Sequence, residues 1–181
     1  MESIQEIKER FKNTPIQELP AFCEIYRADE RKGVQKLVEQ GHKRIQALEQ
    51  EKERLKQMRE FEREYEHLGY ICGIDEVGRG PFAGPVVAGA VILPPDCEIL
   101  YVNDSKQLSE KMREQLYDEI MEKAVSVAVG YASPQRIDEI NILQATYEAM
   151  REAVSKLDVT PQILLNDAVT IPQITISSAY Y

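Results

Sequence analysis

The sequence predicts an α/β protein: a mixed β-sheet flanked by helices, preceded by a helical N-terminal extension. Three observations predict it. From roughly Ser3 to Leu68 the chain is rich in Glu, Lys, Arg and Gln and sets apolar residues at three- and four-residue steps. From Gly69 the apolar residues gather into short runs of strand length, Ile71–Val77 and Val86–Leu93. Those runs are followed by alternating segments opened by helix-capping residues, the order of a sheet with helices packed on it.

In the extension, Asn13-Thr14-Pro15 breaks a first helix and Asp29 to Gly33 marks a second turn. Val38, Gly41, Ile45, Leu48 and Leu55 form the apolar stripe of the longest helix, expected from about Val34 to Glu66. Ile71–Val77 and Val86–Leu93 read as buried strands joined by the Gly/Pro-rich connection Gly78 to Pro85. Ser109 is an N-cap for a helix running to about Ala124, and Val125–Tyr131 is a third strand. Ser133-Pro134 supplies a cap and a first-turn proline. Helical spacing then continues through Leu157, with a break near Asn141. Gln162–Asn166 is a short apolar strand that delivers Asp167. The resulting order is ββαβαβ, with residues 1–69 as the extension and 70–181 as the sheet domain. Nothing repeats internally.

Hydrophobic content of 43% and charged content of 29% over 181 residues are ordinary for a globular protein. No run of eighteen apolar residues exists, so no membrane span is expected. Met1 to Glu6 is acidic and polar, unlike a secretory leader. Cys23, Cys72 and Cys97 are scattered without CxxC spacing, which argues against a disulfide framework and a zinc site. A cytoplasmic protein is expected. The net charge of −9 falls almost wholly on residues 71–181, which hold 8 Lys and Arg against 16 Asp and Glu; residues 1–70 hold 14 against 15. Nucleic-acid binders usually carry the opposite sign, because neutralising phosphates drives their affinity. Bound metal ions would offset part of the deficit.

Chemistry concentrates at Asp75-Glu76-Val77-Gly78-Arg79-Gly80. Adjacent acids at the mouth of a buried strand are costly without a cation or donor, and hard oxygen ligands in a cluster suit a divalent metal. Neighbouring strand residues face opposite sides, so Asp75 and Glu76 serve one site only if the strand frays or bends, which Gly78 and Gly80 favour. Asp167, at the end of another strand, would complete a set of acids suited to two-metal phosphoryl transfer. The competing reading is structural: Asp75 caps a turn, Glu76 pairs with Arg79, and Asp167 opens a turn. Gly78 to Gly84 lacks the Lys-Ser/Thr and following helix of a nucleotide loop. His42 and His67 lie in the helical extension without a nucleophile motif nearby and read as surface residues.

Four stretches resemble bacterial ribonuclease HII. They are Gly73-Ile74-Asp75-Glu76-Val77-Gly78-Arg79-Gly80 with Ala83-Gly84-Pro85-Val86-Val87; Asn103-Asp104-Ser105-Lys106; Ile140 to Thr146; and Leu164-Leu165-Asn166-Asp167. They cover residues ~70–174 in the family's order. The resemblance implies a ribonuclease H-like fold and cleavage of RNA in RNA–DNA hybrids. It also implies incision at single ribonucleotides embedded in duplex DNA, with Mn²⁺ or Mg²⁺. On it, Asp75, Glu76 and Asp167 are the metal-binding catalytic acids. Gly78, Arg79 and Gly80 match the loop that recognises the ribose 2′-hydroxyl, the group that separates RNA from DNA. Ser105 and Lys106 match a segment that approaches the nucleic-acid backbone. Asn141 matches a position near the site, its role left open.

The match departs at the end. At Asp167 the family has an apolar residue before the acid and Gly after it, where this chain has Asn166 and Ala168. The family's following Lys-Gly-Asp segment, with a fourth acid, and its stacking tyrosine have no counterpart here; Tyr180 and Tyr181 do not match that tyrosine. A chain shortened at its C-terminus is the expectation. The alternatives to an active nuclease are a non-catalytic hybrid-binding protein and an inactive remnant acting as a helical interaction module.

Overall fold

The structure, a computed structural model, describes residues 2–80, 84–166 and 170–180. Residues 1–57 and 58–181 form two compact units.

In the first unit, α1 (Ile4–Asn13) opens on a capping box. Glu6 N–H donates to Ser3 Oγ at 3.3 Å and Ser3 N–H donates back to the Glu6 carboxylate at 2.7 Å. Those bonds hold the Glu6 carboxyl below its usual range. The break at Thr14-Pro15 appears where expected, and a 3₁₀ turn, Ile16–Glu18, leads into α2 (Leu19–Ile25). Ile7, Phe11, Leu19, Phe22, Cys23, Tyr26, Val34 and Leu37 form the core, with the Phe11, Phe22 and Tyr26 rings in tilted contact. Gly41 sits in the apolar stripe of α3 (Lys32–Met58) because a Cβ there would lie 2.6 Å from Cys23 Sγ.

Helix α3 stops at Met58 rather than at the expected Glu66. Arg59 leaves helical geometry, at φ −85° and ψ 6°, and α4 (Glu60–Tyr65) follows. No Pro or Gly marks this break. The Arg59 guanidinium donates to the Pro95 carbonyl and to the Glu66 carboxylate, so partners distant in sequence set it.

The second unit is a mixed five-stranded sheet in the order β3-β2-β1-β4-β5. Its strands are β1 (Ile71–Val77), β2 (Val86–Ile92), β3 (Ser126–Ala132), β4 (Ile163–Asn166) and β5 (Ser177–Tyr180). β1 is central: it pairs antiparallel with β2 and parallel with β4. Between strands lie α5 (Glu110–Lys123), capped by Ser109, and α6 (Pro134–Ile140), capped by Ser133 with Pro134 in its first turn. Asn141, at φ +69°, ends α6 and begins α7 (Ile142–Ser155), its Oδ1 accepting from the N–H groups of Leu143 and Gln144.

Helix α7 buries Ala145, Ala149, Met150 and Ala153 against Cys72, Ile74, Val86, Ala88, Ala90, Ile92 and Leu164. Small residues on both surfaces let helix and sheet approach closely. The other face buries Ile163, Leu165 and Ala179, with Ile71 and Tyr65 packed on them. The strand β5 was not expected. Ser177-Ser178 gives no alternating pattern, and pairing with β4 makes the segment a strand.

Candidate active site

The central strand carries the two adjacent acids. The ladder to β2 continues through Glu76↔Ala88 and Val77↔Val87, so β1 is regular up to Gly78, which takes φ +99°. The strand alternates: Cys72 and Ile74 are buried, Asp75 is exposed and Glu76 is half-buried. Asp75 Oδ1 accepts from the Glu76 N–H at 2.8 Å.

The surroundings of Asp75 are bare for a reason the sequence reading did not single out. Gly89 stands directly across from it on β2, and Gly73 precedes it on the same face. A Cβ built at either glycine meets nothing within 4 Å. Among the described residues, these two neighbours of the carboxylate carry no side chains, which leaves room for a ligand on that face of β1 and β2. Gly73 was visible as a glycine two residues before an acid. Gly89 needed the strand register.

Glu76 has only 17% of its side chain exposed, and its Oε1 lies 2.8 Å from Arg79 Nη1. The ion pair expected on the structural reading is thus present. Gly78 takes φ +99°, and a Cβ there would fall 2.2 Å from the Pro85 carbonyl oxygen. Only glycine closes the loop this tightly. Asp167 lies outside the described residues; the β1–β4 pairing is described up to Ile74↔Asn166, one residue short of each acid. Among the described residues no three of His, Cys, Asp and Glu cluster around a metal-sized space. As hard oxygen donors Asp75 and Glu76 suit a divalent ion such as Mg²⁺ or Mn²⁺, and with β1 regular through Val77 their side chains leave the strand on opposite faces.

Ser105 and Lys106 occupy a 3₁₀ turn, Ser105–Gln107, and are exposed. Asp104 Oδ1 accepts from the Lys106 N–H at 2.9 Å and shapes the turn. Among the described residues no hydrogen bond or ion pair joins this turn to Asp75, Glu76 or the Gly78-Arg79-Gly80 loop. His42 and His67 are exposed, in keeping with surface roles. Asn141 is used as a helix cap, which accounts for its place in the sequence. Among the described residues no helix is long and apolar enough to cross a membrane.

Comparison with known proteins bears on what this arrangement does. Residues 3–66 match the model of the Ribonuclease HII N-terminal domain, and residues 72–178 match that of Ribonuclease HII. The chain is 65% identical over 151 residues to the Ribonuclease HII of Lachnoclostridium phytofermentans, a match covering 83% of this chain and 59% of that one. It is 49% identical over 172 residues to the Ribonuclease HII of Bacillus cereus strain Q1, covering 94% and 66% respectively. The chain thus spans less than two thirds of the length of these curated relatives. Among solved structures, the ribonuclease H2 from Pyrococcus horikoshii OT3 superposes with a TM-score of 0.50 at 24% identity, over 61% of each chain, and shares the fold.

Proposed function

The chain belongs to the ribonuclease HII family, and on that premise we propose that it is a cytoplasmic endonuclease dependent on Mn²⁺ or Mg²⁺. Its substrates would be the RNA strand of RNA–DNA hybrids and duplex DNA with an embedded ribonucleotide, incised on the 5′ side of that nucleotide. The observation that carries the reading is the Asp75-Glu76 pair at the end of the central strand, flanked by the bare face at Gly73 and Gly89 and followed at once by Gly78-Arg79-Gly80.

In this reading Asp75, Glu76 and Asp167 hold the divalent ions. When bound, such ions lower the pKa of a coordinated water and neutralise charge on the phosphoryl oxygens. The rest falls to the chain's own residues. Asp75 presents an exposed carboxylate in cleared space. Glu76, paired with Arg79 at 2.8 Å, would give up that partner to hold an ion. Gly78 and Gly80, without side chains on either side of Arg79, leave the loop's backbone groups open to a 2′-hydroxyl, which supports discrimination of RNA from DNA. Ser105 and Lys106, exposed on a preformed turn, meet the phosphate backbone.

The test is incision of a labelled DNA duplex containing one ribonucleotide, with Mn²⁺ or Mg²⁺, beside an all-DNA duplex and an Asp75→Asn variant. Asp75 is exposed and among the described residues pairs with no side chain, so the variant should fold as the parent does and lose cleavage by about a thousandfold or more. Equal cleavage by parent and variant would refute the assignment of Asp75. Binding of the hybrid without a cut in any metal would leave a recognition protein in place of a nuclease.

A further inference from the structure

The second unit is acidic, and among the described residues half of its ten Lys and Arg are paired with carboxylates, Arg59 with Glu66 among them. Arg79 pairs with Glu76, Lys123 with Glu119, Arg136 with Glu139 and Glu148, and Lys156 with Glu152. Among the described residues no carboxylate pairs with Arg63 or Arg151, which stand apart from other unpaired cations in the sequence, nor with the neighbouring Lys106, Lys111 and Arg113. The last three fall together between the 3₁₀ turn and the start of α5, and among the described residues none has a carboxylate within 4.0 Å. Three unpaired cations in an acidic unit make this the segment best suited to meet phosphates.

Within it Arg113 is engaged, but by backbone. Its Nη1 donates to the Leu108 carbonyl at 2.7 Å and to the Ser105 carbonyl at 3.3 Å. Those carbonyls bracket Lys106 and Gln107. Residues 103–107 are all exposed, so no apolar packing fixes their shape. Polar bonds fix it instead: Lys106 N–H to Asp104 Oδ1, Gln107 N–H to the Asp104 carbonyl and Asn103 Nδ2 to Gln107 Oε1. Such bonds shape the turn internally. The Arg113 guanidinium ties it to α5, whose first turn Ser109 caps.

We propose that Arg113 is a positioning residue: by holding the Ser105 and Leu108 carbonyls it presents Ser105 and Lys106 in one fixed pose to the phosphate backbone of the nucleic acid. This rests on the hybrid-cleaving reading above. A loop that is ordered before binding loses less entropy on binding, so removing the tie weakens capture of the substrate and leaves the chemical step alone.

The experiment uses the full chain with Arg113→Met, Arg113→Lys, Lys106→Ala and the Arg113→Met/Lys106→Ala double variant. The readouts are affinity for a fluorescent RNA–DNA hybrid, KM and kcat on the ribonucleotide-containing duplex, and amide hydrogen exchange at Lys106 to Leu108 without substrate. Arg113 is exposed, and thermal melting confirms folding of each variant. Arg113→Met should raise Kd and KM about tenfold, the worth of one or two hydrogen bonds, with kcat nearly unchanged. It should also speed exchange at the three amides, and Arg113→Lys should restore most of both. The double variant should bind no worse than Lys106→Ala, since a positioning residue has nothing left to position. Additive losses would overturn the proposal by making Arg113 a direct phosphate contact, and unchanged exchange would overturn it outright. A parent chain that neither binds nor cuts the hybrid sinks the functional reading as well; a parent that does, with Arg113→Met indistinguishable from it, sinks this inference alone.

Discussion

At Gly130 a single absent methyl group decides whether α7 can lie on the sheet. A Cβ there would stand 1.8 Å from the Ala149 carbonyl oxygen and 2.7 Å from the Ala153 nitrogen, both backbone atoms of a packed helix. Neither can move without lifting α7 from the alanines it covers. Gly130→Ala should therefore destabilise the second unit by about 3 kcal/mol, the upper end of the range for overpacking. A urea titration followed by circular dichroism measures this, and a loss below about 1 kcal/mol would show that the helix slides freely. Gly73 and Gly89 differ in kind. Their missing side chains leave open space beside Asp75, so they serve access to the site and not packing. The same residue type thus has opposite consequences on the two faces of one sheet. A sequence shows the glycine; the face it stands on comes from the register.

At the scale of elements, the caps read from the sequence are the ones the structure uses. Ser133 Oγ accepts from the Arg136 N–H at 3.2 Å with Pro134 in the first turn, and Ser133→Ala should cost about 1 kcal/mol. A change within a few tenths would mean that Arg136 and its carboxylate partners hold α6 without the cap. Helix α7 also guards the sheet's edge. Glu152 accepts from the Tyr131 N–H at 2.7 Å, and Lys156 Nζ donates to the Val129 carbonyl at 3.2 Å. Both backbone groups lie on β3, an edge strand that would otherwise offer them to another chain. The Lys156 ammonium and the Tyr131 N–H hold the Glu152 carboxyl below its ordinary value of 4.5, and Arg136 does the same for Glu148. A carboxyl depressed in the folded state stabilises above its unfolded pKa, and that contribution is lost as pH falls through the folded value. Stability should hold from pH 7 to about 5 and decline below about 4.5. A Glu148→Gln/Glu152→Gln variant should decline less steeply, and matching slopes in denaturant titrations would rule out these two groups.

At the scale of the molecule, the two compact units each carry a buried cysteine. Cys23 is 3% exposed in the first and Cys72 fully buried in the second, where burial pushes its thiol up to about 12. Cys97 is half-exposed on a connecting segment. In native protein Cys97 should react with iodoacetamide first, with Cys23 and Cys72 protected. The first unit's core has eight buried residues against thirteen in the larger cluster of the second. As denaturant rises, Cys23 should therefore become reactive before Cys72. One shared midpoint would show instead that the units open together.

The sequence by itself determined the class of fold, most of its helices and strands, the caps of α5 and α6, the break at Asn141, and the acids at the head of the central strand. Those features are local: a period, a capping hydroxyl, a glycine beside an acid. Tertiary structure decided the rest. It ended α3 at Met58 because Arg59 found partners in Pro95 and Glu66, and it made Ser177–Tyr180 a strand because β4 offered an open edge. It kept β1 regular through Val77 by pairing it with β2, where the sequence left a fray or a bend at the strand's end open. It also placed Gly89 opposite Asp75 and Arg113 beneath the Ser105 turn. Each of these depends on contacts beyond one turn of helix or one strand, from seven residues for Arg59 and Glu66 to 36 for Arg59 and Pro95, and no local period encodes such a contact.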